Sequence, residues 1–115
     1  MLPQTNRLLR KKDFDNVWKN GRSAFGRLLG VKAIANNLGK NRFGIMIGLK
    51  VSKKAVKRNK IKRRLREIIN ASSPALNLGF DIVLTVLPAA REAEFSELKK
   101  EVEWCFKRLK IEFRR

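Results

Sequence analysis

Residues 50–69 read KVSKKAVKRNKIKRRLREII and carry two overlapping patterns that decide how this part of the chain folds. Apolar residues stand at positions 61, 65, 68 and 69, and this i, i+4, i+7, i+8 spacing predicts a helix with one narrow face against a core. Lysine and arginine fill ten of the twenty positions, whereas the only acid is Glu67. We therefore predict a helix over residues 55–70 with a strongly basic outward face.

This basic face works against the stability of the isolated helix. Like charges four residues apart cost roughly 0.2–0.5 kcal/mol per pair. Such pairs join positions 58 and 62, 62 and 66, and 60 and 64, and only Arg63 and Glu67 compensate. A solvated basic surface is one interpretation, but the second long helical pattern of the chain, at 94–110, intersperses glutamates instead. Bound phosphates would relieve the repulsion and release counterions, so the pattern favours a phosphate-bearing partner.

Composition points to the same class of partner. The chain of 115 residues fits one domain, and its 43% hydrophobic content is enough for a core. It carries 28 basic and 10 acidic residues, a net charge of +18. Residues 1–80 hold 20 Lys/Arg and three acids, a net of +17. A positive field of this strength favours a nucleic acid as the partner. Besides a subunit of an enzyme, two classes of protein stay open: a ribosomal-type protein that binds structured rRNA, and a DNA-binding module. The DNA-binding module is disfavoured because the basic helix lacks a helix-turn-helix partner or a dimerisation seam.

Absent residue types exclude several chemistries. The chain has no histidine and a single cysteine, Cys105, which lies in an apolar pattern and is predicted to be in the core. A disulfide within one chain, a Cys/His metal site and a His-dependent nucleophile are therefore excluded. With few acids in the basic part, we predict no catalytic residues on the protein. No apolar run reaches transmembrane length and no signal-peptide pattern opens the chain, so we expect a cytoplasmic protein with no membrane partner.

The remaining patterns predict an α+β fold in the order α-β-β-α-β-α, after an irregular start. A helix is predicted over 13–20 and strands over 28–35 and 42–50, which we expect to form a hairpin around the turn residues 36–41. The apolar run 80–88 reads as a strand buried on both faces, and 94–110 as a helix. Residues 22–27 are ambiguous and could form a further strand.

Strand 42–50 alternates in an unusual way. Its large apolar residues, predicted to face the core, are Phe43, Ile45, Ile47 and Leu49. On the other face, Gly44, Met46 and Gly48 leave a low surface that another group could approach closely.

Three further residues have open roles at this point. Phe14 and Trp18 share one face of the first helix with Val17, so they could pack in the core or serve as stacking platforms for unpaired bases. Asn59 is a poor helix former amid basic residues, and its amide could bind a partner or simply be exposed.

Three stretches resemble the bacterial ribonuclease P protein subunit: SKKAVKRNKIKRRLREII at 52–69, NRLLRKKDFDNVWKNG at 6–21 and GFDIVLTVLPAA at 79–90. The resemblance implies a two-layer α/β sandwich with a mixed four-stranded sheet, in which the basic helix joins parallel strands through a left-handed crossover. It implies one RNA-binding domain over 1–115. It also implies an accessory subunit of an endoribonuclease, whose RNA subunit, with bound Mg²⁺, cuts precursor tRNA at the mature 5′ end.

The resemblance also implies site residues. The positions matching the RNA-binding signature are Lys53, Lys54, Arg58, Asn59, Lys60, Lys62, Arg63 and Arg66. Those matching the cleft for the single-stranded 5′ leader are Phe14, Trp18 and Lys32. The expected partners are ribonuclease P RNA and precursor tRNA, with one protein per catalytic RNA and no obligate homo-oligomer.

This sequence departs from the family pattern at three places. Lys60 stands where the signature ends in arginine, which keeps the charge and loses a bidentate donor. A short glycine-containing segment between SKK and AVKRN is absent, which bears on where Lys53 and Lys54 lie. At Lys32 many relatives carry an aromatic residue, so a base at that position would meet a cation.

Overall fold

The computed structural model describes residues 7, 8 and 10–111, and in this range the chain forms three helices and four strands. In chain order these are α1 (Lys11–Asn20), β1 (Arg22–Phe25), β2 (Leu29–Ala35), β3 (Arg42–Met46), α2 (Ala55–Ser72), β4 (Phe80–Val86) and α3 (Phe95–Arg108). Short 3-10 turns at Ser73–Ala75 and Pro88–Glu92 follow α2 and β4. Most of the predicted irregular start lies outside the described residues.

The four strands form one mixed sheet in the order β1-β2-β4-β3. β2 is antiparallel to both β1 and β4, whereas β3 runs parallel to β4. The ambiguous residues 22–27 therefore contain a strand, and the α+β class with a mixed four-stranded sheet is confirmed. The hand of the β3–α2–β4 crossover stays an expectation from the resemblance.

The predicted hairpin between β2 and β3 is wrong, because β4 lies between them. β4 has almost no polar face: five of its seven residues, including Ile82, Val83 and Leu84, are buried. Such a strand belongs in the middle of a sheet, where both its faces and both its edges are covered. The turn chemistry of residues 36–41 is present, with positive φ at Asn37 and Gly39, but it leads the chain to the far side of β4.

The two faces of the sheet carry different helices. The predicted apolar stripe of α2 is buried, and together with α3 it packs on the face that carries Val31, Ile82 and Leu84; its residues are Ile61, Leu65, Ile68 and Ile69. The opposite face carries α1, whose Val17 packs against Val83 and Leu8. Cys105 lies in the main core, and burial, followed by the charge of Glu101, raises the pKa of its thiol to about 11.

β3 is shorter than the predicted strand. Phe43 is buried and Ile45 and Ile47 pack at the edge of the core, as expected. The strand ends at Met46, and the chain then turns, with the N–H of Val51 donating to the carbonyl oxygen of Gly48. The prediction that Leu49 faces the core is wrong, since this turn leaves it 67% exposed.

Charged residues fix α1 over the sheet. The guanidinium of Arg42 donates two hydrogen bonds to the buried carboxylate of Asp81, at 2.8 and 2.6 Å, and its Nη1 lies 3.5 Å from Asp13 Oδ2 on α1. The hydrogen bonds to Asp81 are the main reason why the pKa of Arg42 is raised. Within the described range, no helix is long and apolar enough to cross a membrane.

Candidate nucleic-acid interface

Helix α2 presents the predicted RNA-binding residues at its N-terminus and along its surface. Five of the eight are exposed: Lys53, Lys54, Asn59, Lys60 and Arg63. The other three are partly buried along the flanks of the helix: Arg58, Lys62 and Arg66. Because the apolar stripe is fixed in the core, this basic surface is held outward.

The start of α2 has no acidic or capping side chain to offset its positive end. Lys54 is the N-cap residue and makes no side-chain capping bond, and the first turn contains no acid. Lys53 and Lys54 therefore stand directly before the helix and add to the positive end of its dipole. Arg58 Nη1 donates to the carbonyl oxygen of Ser52 at 2.9 Å, so this arginine also closes the turn that leads into α2.

Helix α3 offers a contrast within the same chain. Its Glu94 and Glu97 form a reciprocal capping box, and Glu97 is an acid in its first turn. The lack of such groups on α2 is therefore a local feature of that helix, and it leaves an end suited to anions.

The predicted RNA-binding residues do not all lie on one flank of α2. Arg66 borders a cleft on the sheet side, whereas Lys60 lines a groove with Lys57, Arg64 and Arg91 beside the turn Pro88–Glu92. Arg91 was not among the predicted residues, since its position in the chain gives no sign that it approaches α2.

That groove contains an ion pair at the surface. Lys57 Nζ donates to Glu92 Oε1 at 3.0 Å, and this bond is the main cause of the lowered pKa of the Glu92 carboxyl. The groove is therefore partly neutralised, unlike the outward face of the helix.

Phe14 lies directly on β3 in the space left by Gly44. A Cβ atom added at Gly44 would lie 2.5 Å from two ring carbons of Phe14. The low face predicted for this strand is thus approached by a side chain of the protein itself. Phe14 remains partly exposed, so both open interpretations apply to it: it packs beside Val17 and also lines a cleft.

Trp18 and Lys32 are in direct contact. The Lys32 ammonium lies 4.2 Å from the centroid of the Trp18 ring and donates to the Trp18 carbonyl oxygen at 2.8 Å. Trp18 is nevertheless 47% exposed, which favours a binding role over core packing. The Lys32 ammonium, which a base at this position would meet, already lies against the indole of Trp18.

A small cleft lies between Phe14 and α2, and neither Trp18 nor Lys32 lines it. It has a volume of about 170 Å³ and is lined by Phe14 and Arg66 together with Arg7, Leu8, Phe43, Gly44 and Ile45. Residues 7 and 8 reach it because Leu8 N–H donates to the Phe43 carbonyl oxygen at 2.8 Å, along the free edge of β3. Phe14 and Arg66 therefore line the same cleft. An aromatic ring on which a base can stack, near a guanidinium that can bind a phosphate, suits single-stranded nucleic acid.

Comparisons with known proteins place the chain in one family. The family model described as Ribonuclease P matches residues 2–110. The ribonuclease P protein component of a Synechocystis strain is 36% identical over 110 residues, covering 91% of this chain and 86% of its own. That of a Pseudanabaena strain is 37% identical over 112 residues, covering 96% and 97%.

Solved structures show the same fold. The RNase P protein of Staphylococcus aureus superposes with a TM-score of 0.83 at 29% identity, covering 92% of this chain and 96% of that one. The RNase P protein of Thermotoga maritima gives a TM-score of 0.80 at 29% identity, covering 89% and 96%.

Proposed function

The chain belongs to the Ribonuclease P protein family, and from that premise we propose that it binds the catalytic RNA through α2 and the 5′ leader of precursor tRNA through the cleft beside α1. Family membership implies an RNA partner and a role in an endoribonuclease complex. The observation that carries the finer proposal is the cleft in which Phe14 and Arg66 meet.

The outward face of α2 suits a folded RNA. Its repulsive charges gain from neutralisation by phosphates, and each contact releases counterions. Asn59 adds an amide that can donate and accept, so it could read a base edge or a 2′-hydroxyl. Lys60 supplies a point charge on the other flank, where a guanidinium would have formed a bidentate contact.

The cleft suits an unpaired strand. Phe14 and Trp18 offer aromatic surfaces for bases, and Lys32 offers a cation within reach of the indole. Since the cleft adjoins Arg66, a strand leaving α2 would pass onto these rings. The leader of precursor tRNA is single-stranded, which is the form these surfaces accept.

We assign no bond-breaking step to the protein. Within residues 7, 8 and 10–111, no three His, Cys, Asp or Glu side chains come together in a way that could hold a metal ion. We propose that the RNA subunit and substrate hold Mg²⁺ and carry catalysis. The protein tethers the leader and neutralises phosphates where the two RNAs crowd, which raises substrate affinity and lowers the Mg²⁺ required.

A ribosomal-type rRNA-binding protein is the competing function. That function would account for the basic surface, but it would not explain the exposed ring of Trp18 or the cleft at Phe14. We therefore favour the leader-binding role.

Reconstitution tests the proposal. The protein is mixed with a bacterial ribonuclease P RNA and a precursor tRNA at low Mg²⁺, and the rate of 5′ processing is measured. We expect faster processing than with RNA alone, and the advantage should shrink as Mg²⁺ is raised. Processing no faster than with RNA alone would refute the proposal.

A further inference from the structure

Phe25 is a half-exposed aromatic residue on the same sheet face as α1. It pairs with Gly30 across the antiparallel β1–β2 ladder, and Ser23 pairs with Lys32. Since alternate residues on a strand share a face, Phe25, Gly30 and Lys32 lie on one side of the sheet. Its neighbour Ala24 points to the other side and is buried, whereas Phe25 is 47% exposed.

Gly30 leaves room for the ring of Phe25. A Cβ atom at Gly30 would overlap two ring carbons of Phe25, so the ring occupies the space above the glycine. This is the second aromatic ring on this face that lies on a glycine, after Phe14 on Gly44. Covering a glycine stabilises a strand pair, but it does not require that half of the ring stay open to solvent.

The surroundings of Phe25 form an open part of the sheet. Phe25 belongs to a row of residues that pair across the sheet. Gly30 on β2 pairs with Thr85 on β4, and Thr85 pairs with Met46 on β3, which is 44% exposed. The next row, with Lys32 and Val83, is covered by α1.

Helix α1 turns its aromatic flank toward this open row. Asp13 on α1 contacts Arg42. Arg42 pairs with Asp81, so it lies on the side of Val83 away from the open row. At 100° per residue, Phe14 and Trp18 fall on the opposite side of Val17 from Asp13. The rings of Phe14, Trp18 and Phe25 therefore border one shallow path that crosses the sheet from β3 to β1.

The chemistry of this path selects its occupant. Exposed aromatic faces bind bases, and the Lys32 ammonium between them suits a phosphate. The net charge of +17 over residues 1–80 favours a polyanion over an apolar peptide. Resting on the proposed function, we propose that Phe25 is a further base-stacking platform, which extends the single-strand path and holds leader nucleotides farther from the cleavage site than those at Phe14 and Trp18.

The test combines substitutions of Phe25 with precursor tRNAs whose leaders differ in length. Holoenzyme is reconstituted with wild-type protein, Phe25→Ala, Phe25→Leu or Phe25→Trp, and its affinity is measured for mature tRNA and for precursors with a short or a long leader. We expect Phe25→Ala and Phe25→Leu to weaken binding of the long-leader precursor by about tenfold, the loss of one stacked base. Binding of mature tRNA and of the short-leader precursor should not change, and Phe25→Trp should bind as wild type.

Two controls keep the outcome decisive. Leu78→Ala removes another exposed large apolar side chain, from the loop before β4, and should leave all affinities unchanged. Phe25→Leu keeps an apolar cover on Gly30, so it reports on stacking if the alanine variant fails to fold. If Trp18→Ala weakens leader binding and Phe25→Leu does not, the ring of Phe25 only covers Gly30 and this inference is overturned. If neither does, the proposed leader-binding function itself fails.

Discussion

The ammonium of Lys32 lies 4.2 Å from the centroid of the Trp18 indole and donates a hydrogen bond to the Trp18 carbonyl oxygen. This contact joins the C-terminal turn of α1 to strand β2 through both the ring and the backbone. It holds the indole against the sheet while leaving nearly half of it exposed. A base that stacks on Trp18 would thus meet a ring whose position is already fixed.

Trp18→Ala should weaken binding of precursor tRNA by about tenfold and leave binding of mature tRNA nearly unchanged, because only the precursor carries a leader to stack on the ring. Affinity of the holoenzyme for the two RNAs, measured side by side, checks this. Trp104→Ala is the matched control, since Trp104 on α3 is also 47% exposed and also faces a cation, Arg108. Equal losses for precursor and mature tRNA would show that Trp18 does not bind the leader.

Gly44→Ala should displace the Phe14 ring, because the added methyl group would stand 2.5 Å from it. Overpacking of this kind costs roughly 1–3 kcal/mol of stability. We also expect weaker binding of precursor tRNA, with binding of the catalytic RNA through α2 preserved. Denaturant unfolding and the two binding assays measure these effects.

The control for that substitution is Gly48→Ala. A Cβ atom there meets nothing within 4 Å, so both stability and binding should stay close to wild type. Similar destabilisation by the two alanines would mean that the Phe14 contact is not the cause.

Asp81→Asn should destabilise the protein by about 3 kcal/mol, because it removes the buried carboxylate that accepts the two short hydrogen bonds of the partly buried Arg42 guanidinium. Urea unfolding in sulfate buffer measures the loss; the anion offsets the self-repulsion of the net charge of +18. Glu92→Gln removes an acid from the exposed pair with Lys57 and should leave the unfolding midpoint unchanged. If Asp81→Asn unfolds at the wild-type midpoint, the Arg42–Asp81 pair does not stabilise the fold.

Arg63→Gln should weaken binding of ribonuclease P RNA and reduce the slope of log affinity against log salt by about 1, as expected for one lost phosphate contact. Titrations at several KCl concentrations measure that slope. Lys100→Gln removes another exposed positive charge, on the flank of α3 that faces Gly26 and Arg27 rather than α2, and should leave the slope unchanged. A slope unaffected by Arg63→Gln would place the RNA on another surface.

Much of the fold could be predicted because hydrophobic spacing reports which face of an element is buried. The spacing at Ile61, Leu65 and Ile68 predicted α2 and its buried stripe, and the apolar run of β4 predicted a strand covered on both faces. Spacing does not report which strands are neighbours. The hairpin prediction failed for that reason, since short loops favour adjacent strands and the long crossover through α2 placed β4 between β2 and β3.

The candidate site divides in the same way. The sequence by itself determined the net charge, the basic outward face of α2 and the presence of Phe14 and Trp18, because charge and helical period depend only on the order of residues. Only the tertiary structure decided that Phe14 and Arg66 line one cleft and that Phe25 lies on the same side of the sheet as α1. These residues are far apart in the chain, and they come near each other only because of the strand order and because the glycines at 30 and 44 let the rings lie on the sheet.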